Sequence, residues 1–355
     1  MPIISIDNIK IKPKPDFSRL LKALLRKEKP DRVPLFEIYS NIEEKIVGDK
    51  VKKRECKDLL EYSIKLTVTH NYKLGYDYCW LRAPFYFARP GRHGGDTTEG
   101  KREYIQAGDS LIANDEEYEK YPWQDMRKVD YSRLDIMKKL LPEGMKIIPR
   151  SPSGVFENTT FIMGFTPFSF ALVENPALVK RVVDSIGERQ LTLLKTYASH
   201  DAVGAVILGE DMGFKTGTMV SPDTMREYFL PWHKKIVDAI HSHGKPAILH
   251  SCGNLKEIYD DVIACGWDAK HSYEDAILPV WDFKKQYGDK ISVLGGFDMD
   301  KVCRLTKDEI RKHARSILDK CSPAGGYAFG TGNSVAEYVP AENYLTMIEE
   351  AFNYK

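Results

Sequence analysis

Eight short apolar runs, each closed by polar or glycine-bearing residues and separated by amphipathic stretches, constrain the fold of this 355-residue chain more than any other feature. They fall at 33–38, 76–81, 146–149, 202–208, 247–250, 268–272, 291–294 and 326–329. Between them lie helical patterns such as 175–199, opened by Asn175-Pro176, 222–242, and 306–321, opened by Thr306-Lys307-Asp308-Glu309. Strand-length runs alternating with helix-length stretches predict parallel strands covered by helices. Eight such units predict an α/β fold, a (β/α)8 TIM barrel.

No interdomain linker interrupts the rhythm, so residues 1–355 read as one barrel domain. Residues 1–16, with Lys12-Pro13-Lys14-Pro15, read as an extended N-terminal arm. Residues 85–130, rich in Gly, Arg and aromatics without clean periodicity, read as a long insertion after the second strand and a candidate lid.

Composition narrows the function. The chain has 52 basic and 51 acidic residues, a net charge of +1, so nothing favours a nucleic-acid or polyanion binder. No apolar run approaches the roughly 20 residues needed to span a bilayer. The start, Met1 to Asp7, lacks the basic and apolar regions of a secretion signal, and a cytoplasmic protein is expected. Six scattered cysteines with no close CxxC pair read as reduced thiols.

Active sites of (β/α)8 barrels are built at the C-terminal strand ends. Those ends carry Glu37 and Tyr39; Trp80 and Arg82; Arg150; Glu210 and Asp211; His250 and Cys252; His271 and Glu274; Asp298; and Asn333. Glu210 and Asp211, adjacent carboxylates after an apolar strand, need cationic partners, a metal or water, and are the candidate catalytic groups. Asp298 fits an N-cap as well as a substrate contact. Tyr39, Trp80 and Phe85 are candidate arene contacts, although each is also of a type that packs in cores. His250-Ser251-Cys252, ending an apolar run and followed by Gly253, can turn an imidazole and a thiol toward one zinc ion. A buried small hydrophobe beside a hydrogen-bonded His is the competing reading. Glu274, after the neighbouring strand, lies within reach of the same ion at the ~4.8 Å spacing of adjacent strands.

Several segments together resemble the uroporphyrinogen decarboxylase superfamily, which includes the zinc-dependent corrinoid methyltransferases. They are Leu24-Leu-Arg-Lys-Glu-Lys-Pro-Asp-Arg-Val-Pro-Leu, Gly209-Glu-Asp-Met-Gly, Ser221-Pro, Tyr228-Phe-Leu-Pro, Leu249-His-Ser-Cys-Gly-Asn, Gly332-Asn-Ser-Val and Pro340-Ala-Glu-Asn. The resemblance implies a (β/α)8 barrel with its funnel at the strand C-termini and is compatible with a homodimer. The decarboxylase branch carries an Arg-Gln-Ala-Gly-Arg-Tyr-like segment after the first strand, where this chain reads Glu37-Ile-Tyr-Ser-Asn-Ile-Glu, so a polyanion would meet carboxylates. The methyltransferase branch is the better match. Its His-x-Cys motif corresponds to His250 and Cys252, its carboxylate ligand to Glu274, and its final Cys ligand to Asn333.

That resemblance implies a zinc enzyme moving a methyl group from a small methylated substrate, a methoxylated aromatic, to the cobalt(I) of a corrinoid carried by a partner protein. Zinc or a nearby acid, Glu210 or Asp211, would take up charge on the ether oxygen. Tyr39, Trp80, Arg82, Phe85 and Asp298 would contact substrate. Methylcorrinoid-to-thiol transfer, a true decarboxylase and a non-catalytic barrel subunit remain alternative expectations.

Overall fold

The computed structural model describes Ile6 and residues 9–91, 93–97, 100–104 and 107–355, with backbone only for the segments 93–97 and 100–104. Its strands are β1 (Tyr78–Leu81), β2 (His93–Thr97), β3 (Gly100–Tyr104), β4 (Lys146–Pro149), β5 (Val206–Gly209), β6 (Ala247–His250), β7 (Ala269–His271), β8 (Ser292–Leu294) and β9 (Tyr327–Ala328). β1 pairs with β4, and β5 to β9 pair in order, all parallel. Bridges Ile147↔Val203 and Arg150↔Ile207 join the two groups. The chain is a (β/α)8 barrel.

Seven of the eight expected runs form strands; the first does not. In 33–38 only Leu35 forms a bridge, to Phe329, with a second contact beyond the run at Ser40↔Val335. Pro34 in this run has no N–H to donate, and its carbonyl accepts from Phe329 N–H. On the other side, among the described residues, no backbone hydrogen bond joins this run to β1. The Tyr78 side chain spans that seam instead, its hydroxyl accepting from Glu37 N–H at 2.7 Å and donating to Glu37 C=O at 2.5 Å.

The strands are apolar on both faces because side chains fill the barrel and helices cover it. Ile147, Ile148, Val206, Ile207, Leu208, Ile248, Leu249, Val293 and Leu294 are all fully buried, each stabilising the fold by roughly 1.5–3 kcal/mol. The helices start where their sequence signals stand. Asn175 caps Pro176–Ser199 by accepting from Leu178 N–H, and Thr306 and Glu309 close a capping box on Lys307–Cys321. The stretch expected at 222–242 ends at His241 and contains a π-helical turn over Met225–Phe229. Pro231, which cannot donate, sits just beyond it and displaces the hydrogen-bond register.

Residues 9–16 of the expected arm lie outside regular structure. Lys10 N–H donates to Glu349 Oε1 and its carbonyl accepts from Asn353, so this segment runs along the helix Ala341–Phe352. Residues 1–5 and 7–8 lie outside the described residues. The 85–130 segment holds the antiparallel β2–β3 hairpin, the helix Asp115–Lys120 and a 3-10 turn at Met126–Lys128. The parts of the expected lid at 92, 98–99 and 105–106 lie outside the described residues. Among the described residues no helix is long and apolar enough to cross a membrane.

Candidate metal centre

Two loops meet at the C-terminal ends of β5 and β6. In register Gly209 lies opposite His250, so the residues leaving both strands emerge side by side. Gly253, at φ +81°, packs against Gly213 so closely that a Cβ would lie 2.2 Å from the Gly213 carbonyl carbon. This approach sets Asp211 against Cys252, whose N–H donates to Asp211 Oδ1 at 3.0 Å.

Asp211, His250 and Cys252 each offer one ligand atom, and these atoms lie within 4.8 Å of one another. Cys252 Sγ is 3.5 Å from His250 Nε2, which is 3.7 Å from Asp211 Oδ1. Tetrahedral zinc with Zn–N near 2.0 Å, Zn–O near 2.1 Å and Zn–S near 2.3 Å requires ligand separations of roughly 3.4–3.6 Å. The donor set and the two separations from His250 Nε2 fit zinc with one position left for a reactant.

The next strand fixes the tautomer of His250. His271 is its register partner on β7, and the two rings stack at 5.0 Å. His271 Nε2 lies 3.1 Å from the Thr331 carbonyl, which only accepts, so that nitrogen carries the proton. Burial, followed by the neighbouring His250, holds His271 well below the usual histidine range, so the ring is neutral and its Nδ1 is an acceptor. His250 Nδ1, 2.8 Å away, must therefore donate to it. That leaves a bare lone pair on His250 Nε2, directed at Cys252 and Asp211. Burial, with the charges of Lys270 and Arg150, pushes His250 down to about 3, so it is neutral and able to ligate.

The sulfur is surrounded by donors. Ser272 Oγ and Asn333 Nδ2 each donate to Cys252 Sγ at 3.3 Å. Ser272 takes a positive φ of 87° in doing so. The buried Lys270 ammonium donates to the carbonyls of Ser251, His271 and Ser272, holding both loops together behind the site. Without a cation, burial and the Asp211 charge push the Cys252 thiol up to about 12. A bound divalent cation reverses that balance.

The structure distributes the other expected residues as follows. Asn333 faces the site with its amide nitrogen, because its oxygen accepts from Ser334 N–H at 2.7 Å; it donates to the sulfur where an oxygen ligand was expected. Glu274 is half-buried near Lys270 but is not brought into the ligand group, where Asp211 stands instead. Glu210 is fully buried and accepts from the N–H groups of Val155, Phe156 and Glu157 and contacts His233 Nε2 at 3.2 Å. Its carboxylate caps a helix and does not stand free as a proton donor. Asp298 also serves as a cap, its oxygens accepting from Asp300 and Asp275 N–H. Trp80 is 2% exposed and packs edge-on against His70 and Tyr76, so it belongs to the core and not to the mouth. Phe85 lies edge-on to Phe87 at the half-buried rim. The Tyr39 ring is flanked by the guanidiniums of Arg82 and Arg150, at 5.4 and 4.4 Å.

Two residues gain roles that strand-end reading did not give them. Glu157, in the first turn of the helix Val155–Met163, is pushed up to about 8 by burial and by the charges of Asp211 and Glu210, so it holds a proton beside the triad. Glu37 does not present a carboxylate to the mouth. It is buried and pushed up to about 8, accepting from Thr331 N–H and lying against the Thr331 hydroxyl. The same hydroxyl also lies within hydrogen-bond distance of the Asn333 carbonyl, at 2.5 Å.

A family model described as "Uroporphyrinogen decarboxylase (URO-D)" matches residues 122–354. No curated protein matches the chain in sequence. Among solved structures, a methyltransferase from Methanosarcina mazei superposes with a TM-score of 0.69 at 16% identity, covering 94% of this chain and 97% of that one. A sugar phosphate isomerase/epimerase from Parabacteroides distasonis covers 89% of this chain and 95% of its own at 9% identity, with a TM-score of 0.41. The family match takes in the β5 and β6 ends that build the triad, and the chain belongs to the uroporphyrinogen decarboxylase family.

Proposed function

We propose that this chain is a zinc-dependent methyltransferase that moves a methyl group from a small methoxylated aromatic to the cobalt(I) of a corrinoid carried by a separate protein. The observation that carries this reading is the Asp211–His250–Cys252 triad with an imidazole lone pair fixed toward it. The fold shared with a methyltransferase from Methanosarcina mazei supports it. When bound, zinc supplies Lewis acidity toward an ether oxygen.

The chain's own groups do the rest. Departure of a methyl group as an electrophile leaves the bonding pair on a phenolate oxygen, which needs positive charge or a proton. Glu157, whose hold on a proton burial and the charges of Asp211 and Glu210 strengthen, is the candidate carboxyl to supply one. Glu210 orients the helix on which Glu157 stands. Asn333, Ser272 and Lys270 hold the sulfur and its loop in place.

The test is methyl transfer from methoxybenzenes to cob(I)alamin, with zinc content measured in parallel. Zinc bound at one ion per chain and methylcobalamin formation lost in Cys252→Ala are expected. Absence of zinc in metal-supplemented protein, with no cobalamin methylated by methoxyarenes, methanol or methylamines, overturns the proposal.

A further inference from the structure

The mouth of the barrel holds an arginine whose charge no carboxylate among the described residues answers. Arg150 leaves the end of β4, and its guanidinium lies 4.4 Å from the ring of Tyr39. β1 lies between β4 and the first run, so this contact places the guanidinium across the opening of the funnel and not along its wall.

The Nε of Arg150 is buried and has no hydrogen-bond partner. No ion pair or side-chain hydrogen bond engages this guanidinium among the described residues, whereas Arg19 and Arg32 at the opposite end of the barrel share the Asp77 carboxylate. A buried N–H left unpaired is costly, and a guanidinium more so. The carboxylate nearest in sequence to Tyr39, Glu37, is buried and turned away to Thr331. Arg82, with its Nη2 on Asn41 Oδ1 at 2.7 Å, brings a second guanidinium to the same Tyr39 ring.

We propose that Arg150, stacked on Tyr39, is the binding site for a carboxylate on the substrate, so that the preferred methyl donor is a methoxylated aromatic acid. A guanidinium stacked through its face keeps its in-plane N–H fork free, and a planar carboxylate matches that fork with two hydrogen bonds. Arg150 follows β4 and the triad follows β5 and β6, all at the C-terminal strand ends, an arrangement suited to a substrate anchored at one end and reacting at the other. This inference deepens the proposed function and rests on it for the word substrate; the anion site itself does not depend on turnover.

The experiment uses the whole protein, zinc-loaded and zinc-stripped. Calorimetric titration with benzoate measures anion binding without reaction, and cob(I)alamin methylation compares 4-methoxybenzoate with methoxybenzene. Benzoate is expected to bind both forms, weakened about 10–100-fold in Arg150→Gln and less in Arg150→Lys. Tyr39→Leu, which removes the stack but not the charge, is expected to weaken it by a smaller factor and serves if Arg150→Gln does not fold. Methylation of 4-methoxybenzoate should fall in parallel in Arg150→Gln, by a larger factor than that of methoxybenzene. Equal benzoate affinity in wild type and variants overturns the anion site. So does Arg150-dependent binding of inorganic phosphate or a porphyrinogen with none of benzoate. Arg150-dependent benzoate binding without methylation of any methoxyarene upholds the site and removes the proposed reaction.

Discussion

At the scale of single residues, the metal centre depends on His271 as much as on the ligands. Its Nε2 is committed to the Thr331 carbonyl, so its Nδ1 can only accept, and this turns His250 Nε2 into a lone pair. Replacing a hydrogen-bond partner of a ligating imidazole typically costs about 10–100-fold in metal affinity. His271→Phe, which keeps a ring against Phe36, is expected to lower zinc affinity by that factor in chelator competition. Unchanged affinity would show that the tautomer is set elsewhere. Residue types announced His250 and Cys252 because few other pairings of imidazole and thiol suit a strand end. They could not tell Asp211 from Glu274 as the third donor, since both are carboxylates at neighbouring strand ends. Contact between Gly213 and Gly253 makes that choice. Nor could they tell which atom of Asn333 faces the sulfur; the Ser334 N–H decides it by occupying the oxygen.

Among elements, the helix Val155–Met163 shows why a carboxylate at a strand end need not be catalytic. Its N-cap is Gly154, which has no side chain to offer the first N–H groups. Glu210 reaches across from the end of β5 and accepts from three of them. A Cβ at residue 154 would lie 2.2 Å from the Glu210 carboxyl carbon, so the glycine makes room for the carboxylate. Glu210→Ala leaves those buried donors unpaired and is expected to destabilise the protein by about 3 kcal/mol in denaturant unfolding. Glu210→Gln, which can still accept, should cost less, and both variants should retain zinc. Loss of methyl transfer in Glu210→Gln at unchanged stability and zinc content would instead make it a catalytic group. The helix starts at Asn175-Pro176 and Thr306 were legible because their caps are local in sequence. The cap of Val155–Met163 was not, because it comes from a residue more than 50 positions away.

For the whole molecule, closure of the barrel is the feature that local patterning describes least. The run at 33–38 has a strand's composition, yet it is held to β9 by backbone bonds and to β1 by the Tyr78 hydroxyl. The Tyr78 carbonyl on that side is taken by Asn71 Nδ2 at 3.0 Å. Tyr78→Phe keeps the ring and its stacking on Phe36 but leaves Glu37 N–H and C=O unpaired in the interior. It is expected to cost about 1–3 kcal/mol in denaturant unfolding. A loss below 0.5 kcal/mol, by ordinary measure of a surface substitution, would mean that the seam has another closure.

The sequence by itself determined the barrel, the strand ends that face its mouth and the His250–Cys252 pair, because hydrophobic period, capping signals and ligand type are properties of short segments. Only the tertiary structure decided which carboxylates are free and which are spent. Glu37 goes to Thr331, Glu210 to a helix terminus, Asp298 to a cap and Asp211 to the triad. The physical reason is common to all four. A carboxyl group taken partly or wholly from water must find a hydrogen-bond partner, and the partner is chosen by which backbone donors the closed barrel brings within reach, which no segment carries alone.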